Sequence, residues 1–157
     1  MYDYDINIDA QAPWQTYSSD IKSVSLSDGI AYIGRCAFKG LQYIAQSVEI
    51  PESVTSLGAK AFSGCSAMPA INIPSQVTAI PDELFLGCYN LYNLSIPAGV
   101  KTIGKNAFAN CWHAFARDPL FLPEGLQTIG DYAFDGANLL SVTIPANVTS
   151  IGKNALI

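Results

Sequence analysis

Charge is scarce in this chain. Only 13% of its 157 residues are charged, while half are hydrophobic. The charged share is about half that of an ordinary soluble domain. Such a balance points to a regular, repeated core or to a membrane protein. No apolar run reaches the roughly 18 residues that a spanning helix needs, so membrane insertion is not expected. Basic residues are fewer still: eight Lys and Arg stand against thirteen Asp and Glu, for a net charge of −5. No basic cluster appears, which argues against nucleic acid and against an anionic membrane surface. The N-terminus, Met1 and then Tyr2-Asp3-Tyr4-Asp5, is acidic and lacks the apolar stretch of a signal peptide.

Reactive groups are also few. There is one histidine, His113, and four cysteines. No phosphate-binding loop, nucleophile elbow or zinc-helix motif occurs. Cys111 and His113 are two apart, but no oxyanion motif accompanies them. No paired ligand spacing suits zinc. The expectation is a protein without catalytic residues, metal or cofactor.

What the chain does have is internal repetition. Val54 opens V-T-S-L-G-A-K-A-F-S-G-C, and Val100 opens V-K-T-I-G-K-N-A-F-A-N-C. Val77 and Leu126 open further copies, Ile30 a looser one, and Val148 one that the end of the sequence cuts short. Between them recurs apolar-x-apolar-Pro, as in Val48-Glu49-Ile50-Pro51 and Leu94-Ser95-Ile96-Pro97. The prolines at 51, 74, 97, 123 and 145 are spaced by 23, 23, 26 and 22 residues. A period near 23 belongs to the leucine-rich range of repeat proteins. One such repeat cannot bury its own apolar positions, but stacked neighbours can.

Each position in the repeat has a physical reading. Apolar-x-apolar predicts a short strand that the proline ends, since proline has no N–H to donate. V-x-x-I-G predicts a second extended segment with a turn at glycine, as at Gly58. Phe38, Phe62, Phe85, Phe108 and Phe134 are the large core fillers. Cys65, Cys88 and Cys111 lie three residues after a core Phe, where Leu41 and Ala137 stand in other copies. That slot therefore reads as a buried thiol column. Cys36 falls off this register and is expected to be the exposed thiol.

This pattern resembles the BspA-type leucine-rich repeat family, whose repeat is close to L-x-x-I-x-I-P-x-x-V-T-x-I-G-x-x-A-F-x-x-C. Leu91 to Cys111 fits it nearly letter for letter, and Leu139 to Ala155 fits up to the truncation. The resemblance covers about residues 21–157, with a departure at 113–119. It implies an α/β solenoid: a right-handed leucine-rich superhelix of short parallel strands, with five full repeats and partial ends. It also implies a secreted or cell-surface bacterial protein, often multi-domain, that adheres to host or matrix proteins. Residues 1–20 are expected to cap the solenoid, with Trp14, Tyr17 and the Ile6-x-Ile8 alternation covering its first coil. The other end, at Leu156, reads as a fragment boundary or as a face for end-to-end self-association.

Stacking aligns the outward strand residues into columns. The central one is Ser25, Glu49, Asn72, Ser95, Phe121 and Thr143; the preceding one includes Asn93, Pro119 and Ser141. Such a small, polar face suits protein or glycan contact, or solubility alone. Phe121 breaks it with an aromatic. Beside Phe121 the long repeat carries its extra residues, in the stretch from Trp112 to Pro119. Insertions in solenoids become loops, often on the binding face. Trp112, His113, Phe115, Arg117 and Phe121 are therefore the leading contact candidates, with one of Trp112 and Phe115 expected to serve as core filler. A structural spacer or self-association module is the alternative role.

Overall fold

The structure, a computed structural model, describes residues 12–92 and 94–157. Ile6, Ile8 and Asn93, all singled out above, lie outside the described residues. The chain winds into stacked coils joined by parallel two-residue strands: β1 (Tyr32–Ile33), β2 (Ser56–Leu57), β3 (Ala79–Ile80), β4 (Thr102–Ile103), β5 (Leu120–Phe121), β6 (Thr128–Ile129), β7 (Val142–Thr143) and β8 (Ser150–Ile151). β1 pairs with β2, β5 pairs with β7, and the longest ladder runs β3-β4-β6-β8. Among the described residues the one helical element is a 3-10 turn, Gln15–Tyr17.

The main ladder corrects one expectation. It lies on the V-x-x-I-G step, not on apolar-x-apolar-Pro. On the proline side, pairing among the described residues is limited to β5–β7 and a single bridge, Val48 to Ile71. Hydrogen-bond supply explains the difference. Each ladder glycine donates its N–H to the preceding coil: Gly58 to Ile33 at 2.7 Å, then Gly104 to Ile80, Gly130 to Ile103 and Gly152 to Ile129, each at 2.8 Å. A proline offers no such donor. Where the proline side does link coils 22 residues apart, a side chain helps. The Asn72 amide accepts from the Ile50 N–H at 2.6 Å and donates to the Ile50 carbonyl at 2.8 Å.

The same glycines are corrected in role. Gly58, Gly104, Gly130 and Gly152 are not in the left-handed region, as a turn reading would suggest. They are small because backbone passes over them. A Cβ on Gly130 would sit 2.6 Å from the Lys105 nitrogen, and one on Gly104 2.6 Å from the Asp82 nitrogen. The left-handed residue falls two positions later, at Cys36, Lys60, Glu83, Asn106, Tyr132 and Asn154, with φ between 52° and 62°. This conformation costs a side-chain-bearing residue about 1 kcal/mol. It also turns the N–H along the stack. Cys36 donates to Ala59, Lys60 to Asp82, Glu83 to Lys105, Asn106 to Asp131 and Tyr132 to Lys153, at 2.8–3.0 Å. Cys36 is therefore buried in that turn, 4% exposed, and not the accessible thiol its register suggested.

The core is built in columns. Phe62, Phe85, Phe108 and Phe134 are fully buried, and their rings stack with centroids 6.0, 5.8 and 5.1 Å apart. Each buried ring contributes roughly 1.5–3 kcal/mol through the area it removes from water. Beside them run Cys65, Cys88 and Cys111, all reduced and fully buried. Each thiol donates to a carbonyl of the preceding coil: Cys65 to Phe38 and Cys88 to Phe62 at 3.2 Å, Cys111 to Phe85 at 3.1 Å.

Candidate contact site on the irregular coil

The coil between Pro97 and Pro123 carries the longest spacing, 26 residues. Its surplus emerges after Cys111, which keeps its core slot. The Ala114 N–H then closes a turn onto the Cys111 carbonyl at 3.1 Å. Ala114 and Phe115 turn inward and are 7% and 4% exposed. Phe115 meets Phe108 and Phe134 edge to face, each at 5.6 Å. Such pairs add roughly 0.5–1.5 kcal/mol beyond burial. Phe115 is thus the anchor of the bulge and is withdrawn from its surface. Beyond it, Arg117, Asp118 and Pro119 are exposed before Leu120 returns to the core.

The exposed candidates gather around this bulge. Phe121 is 79% exposed. Trp112 is half-exposed and leans on Tyr89 of the coil before, ring centroids 5.3 Å apart and planes at 60°. His113 is exposed at the foot of the bulge, with a cleft on either side. One cleft, about 340 Å³, runs between Leu94–Ile96 and Leu120–Phe121 under Arg117 and Asp118. The other, about 600 Å³, lies between Asn90, Tyr92, His113 and Arg117. Arg117 lines both.

The remaining candidates are spread along the strand column. Glu49, Ser95 and Thr143 are exposed. Asn72 is half-buried, and its amide is already engaged with Ile50. Sequence reasoning passed over Tyr89 and Tyr92, both 44% exposed. A signal existed for one of them. Tyr89 and Trp112 each follow a core cysteine, so the register places them side by side.

The Cys111 thiol is committed to the Phe85 carbonyl inside the core, while His113 faces outward. Burial pushes the Cys65 and Cys111 thiols up to about 12. It raises Cys88 as well, helped by the thiols on either side. None of the three is a thiolate nucleophile near neutral pH. Among the described residues no cluster of His, Cys, Asp and Glu could hold a metal ion.

Residues 15–117 and 114–157 match the model of the BspA type leucine rich repeat region, in six copies. The chain belongs to this family. Its coils also resemble solved leucine-rich repeat structures. A leucine-rich repeat protein from Bacteroides ovatus is 33% identical, with TM-score 0.73, over 85% of this chain and 34% of that one. One from Eubacterium ventriosum is 28% identical, TM-score 0.73, over 86% and 36%. A leucine rich cell surface protein from Faecalibacterium prausnitzii is 29% identical, TM-score 0.67, over 85% and 32%. The BspA-type stretch seen here thus spans about a third of the length of these three proteins. No curated protein matches the chain.

Proposed function

We propose that this chain is a non-catalytic binding module of a secreted or cell-surface bacterial protein. It holds a protein partner, of the extracellular matrix or of another cell surface, against the irregular coil. Trp112, His113, Arg117 and Phe121 make the centre of the contact, and the exposed column of Glu49, Ser95 and Thr143 extends it. The N-terminal turn around Trp14 closes the first coil, so that the stack presents its side rather than its end.

One observation carries this reading. Phe121 stands 79% exposed in a column whose other members are Ser, Thr, Asn and Glu. A side chain of that size in water loses roughly 1.5–3 kcal/mol of burial it would otherwise gain. Exposed Arg117 lines the same cleft as Phe121, and exposed Trp112 begins the bulge; tryptophan and arginine are two of the residue types that dominate binding energy at interfaces. Phe115 fixes the bulge to the core, so the group is displayed on a rigid base. The likeness to a leucine rich cell surface protein supports the location.

The test uses a panel of purified extracellular-matrix and cell-surface proteins. Wild-type chain is expected to bind at least one. The triple variant Trp112→Ala/Arg117→Ala/Phe121→Ala, melting as wild type does, is expected to lose at least about tenfold in affinity. Binding that survives all three truncations refutes the reading.

A further inference from the structure

The larger cleft beside the bulge differs from the protein-contact face in its chemistry. Asn90, Tyr92, His113 and Arg117 line it together with the small apolar Ala67, Pro69 and Ala116. We propose that it binds a saccharide bearing a carboxylate.

Main-chain groups argue against an extended peptide here. The Asn90 N–H already donates to the Ser66 carbonyl at 3.2 Å, and the Tyr92 N–H to the Pro69 carbonyl at 3.0 Å. A peptide strand would find no free edge to extend at these positions. Recognition must run through the side chains, and these form a particular set. Arg117 offers a planar fork of donors that fits a carboxylate. The Asn90 amide both donates and accepts, as hydroxyl groups require. Tyr92 is 44% exposed and offers a flat apolar face with a hydroxyl at its rim. The Tyr89–Trp112 pair stands on the same turns, each next in sequence to a residue of the cleft, Asn90 and His113.

Charge and size select further. The protein carries −5 overall, yet no carboxylate lines this cleft among the described residues. Asp118 lines the neighbouring cleft instead. The sequence holds two arginines: Arg35 is half-buried, and Arg117 is exposed. A cation facing a carboxylate-free cleft in an acidic protein complements an anionic ligand. A volume of about 600 Å³ falls within the range of small-molecule sites.

The proposal shares His113 and Arg117 with the protein-contact reading but does not rest on it. Ligand-observed NMR titrations separate the two. The probes are N-acetylneuraminic acid, glucuronic acid and, as the neutral control, N-acetylglucosamine. At least one acidic sugar is expected to bind with millimolar affinity, at least about tenfold tighter than the neutral one. Arg117→Gln and Tyr92→Ala are each expected to weaken it about tenfold, with unchanged melting. Phe121→Ala, which carries the protein contact, is expected to leave saccharide binding unchanged. Three results overturn the proposal: no saturable binding of either acidic sugar, equal binding of the neutral one, or equal competition by a tetrapeptide of glutamate. No saturable acidic-sugar binding by a wild-type chain that still binds its protein partner would sink this proposal alone.

Discussion

The Trp14 indole lies over the Phe38 ring, centroids 5.9 Å apart and planes at 21°, and its N–H donates to the Ala37 carbonyl at 2.7 Å. From Phe38 the stack continues to Phe62 at 5.2 Å and on through the column to Phe134. One file of rings therefore links the N-terminal turn to five successive coils. Truncating its middle opens a cavity that rigid neighbours cannot close. Phe85→Ala is expected to cost about 3–5 kcal/mol. Trp14→Ala, at a half-buried position, is expected to cost less, about 2 kcal/mol, by losing a stack and a hydrogen bond. Urea denaturation measures both. Equal small losses would show that the column is not the spine of the fold.

Phe115 and Phe121 are six residues apart and should behave oppositely. Phe115 is 4% exposed and edges into two core rings. Phe115→Ala should cost about 3 kcal/mol or more. Phe121 is 79% exposed, and Phe121→Ala should stay within about 0.5 kcal/mol of wild type. Thermal melts of the two variants decide this. A reversal would mean that the bulge is folded the other way out.

Two glycines give a similar contrast. A Cβ at Gly104 would lie 2.6 Å from the Asp82 nitrogen and 2.8 Å from the Pro81 carbonyl carbon. Coils 23 residues apart would have to separate, and Gly104→Ala should cost about 2–3 kcal/mol. At Gly125 a Cβ meets nothing within 4 Å. Gly125→Ala should be neutral or stabilise by up to about 1 kcal/mol, since alanine lowers the entropy of the unfolded chain. Denaturant midpoints distinguish them, and equal effects would contradict the close stacking of the ladder.

The thiol column predicts a pH effect. Cys65 and Cys111 are held up to about 12 by burial, and Cys88 is also raised. An unfolded thiol titrates near 8.5. Below that pH the thiols are protonated in both states, and their contribution is intact. Above it the unfolded chain loses protons that the folded chain keeps, so stability falls as pH rises towards 12. The triple variant Cys65→Ala/Cys88→Ala/Cys111→Ala should show a flatter fall than wild type above pH 8.5. Alanine is tolerable there because Ala137 fills the same slot, fully buried. At pH 8 a thiol reagent should label none of the four cysteines in the native protein and all four after unfolding. Rapid native labelling would contradict the burial.

Much of this was legible in the residues. The proline spacing identified the coil, and Phe and Cys recurred at the slots the core uses. The limits have physical causes. Which extended segment pairs depends on where each N–H finds a carbonyl, and side-chain pattern alone does not reveal that. Hence the main ladder sits at Gly104 and Gly130 rather than beside Pro97 and Pro123. Cys36 was misplaced because its burial comes from a left-handed turn, not from apolar periodicity. In the bulge, composition could not separate Trp112, which faces out, from Phe115, which faces in. Tyr92 was missed because aromatic residues on a repeat read first as core.

The contact face is the central claim, and its most direct measurement is a ratio of affinities. For the tightest partner among the matrix and cell-surface proteins, dissociation constants are compared for wild type, Phe121→Ala and Gln127→Ala. Gln127 is exposed next to the ladder of the opposite segment, where its N–H donates to Lys101. The account predicts a loss of at least about tenfold for Phe121→Ala and less than about twofold for Gln127→Ala, with all three proteins melting alike. Equal affinities for wild type and Phe121→Ala would contradict it.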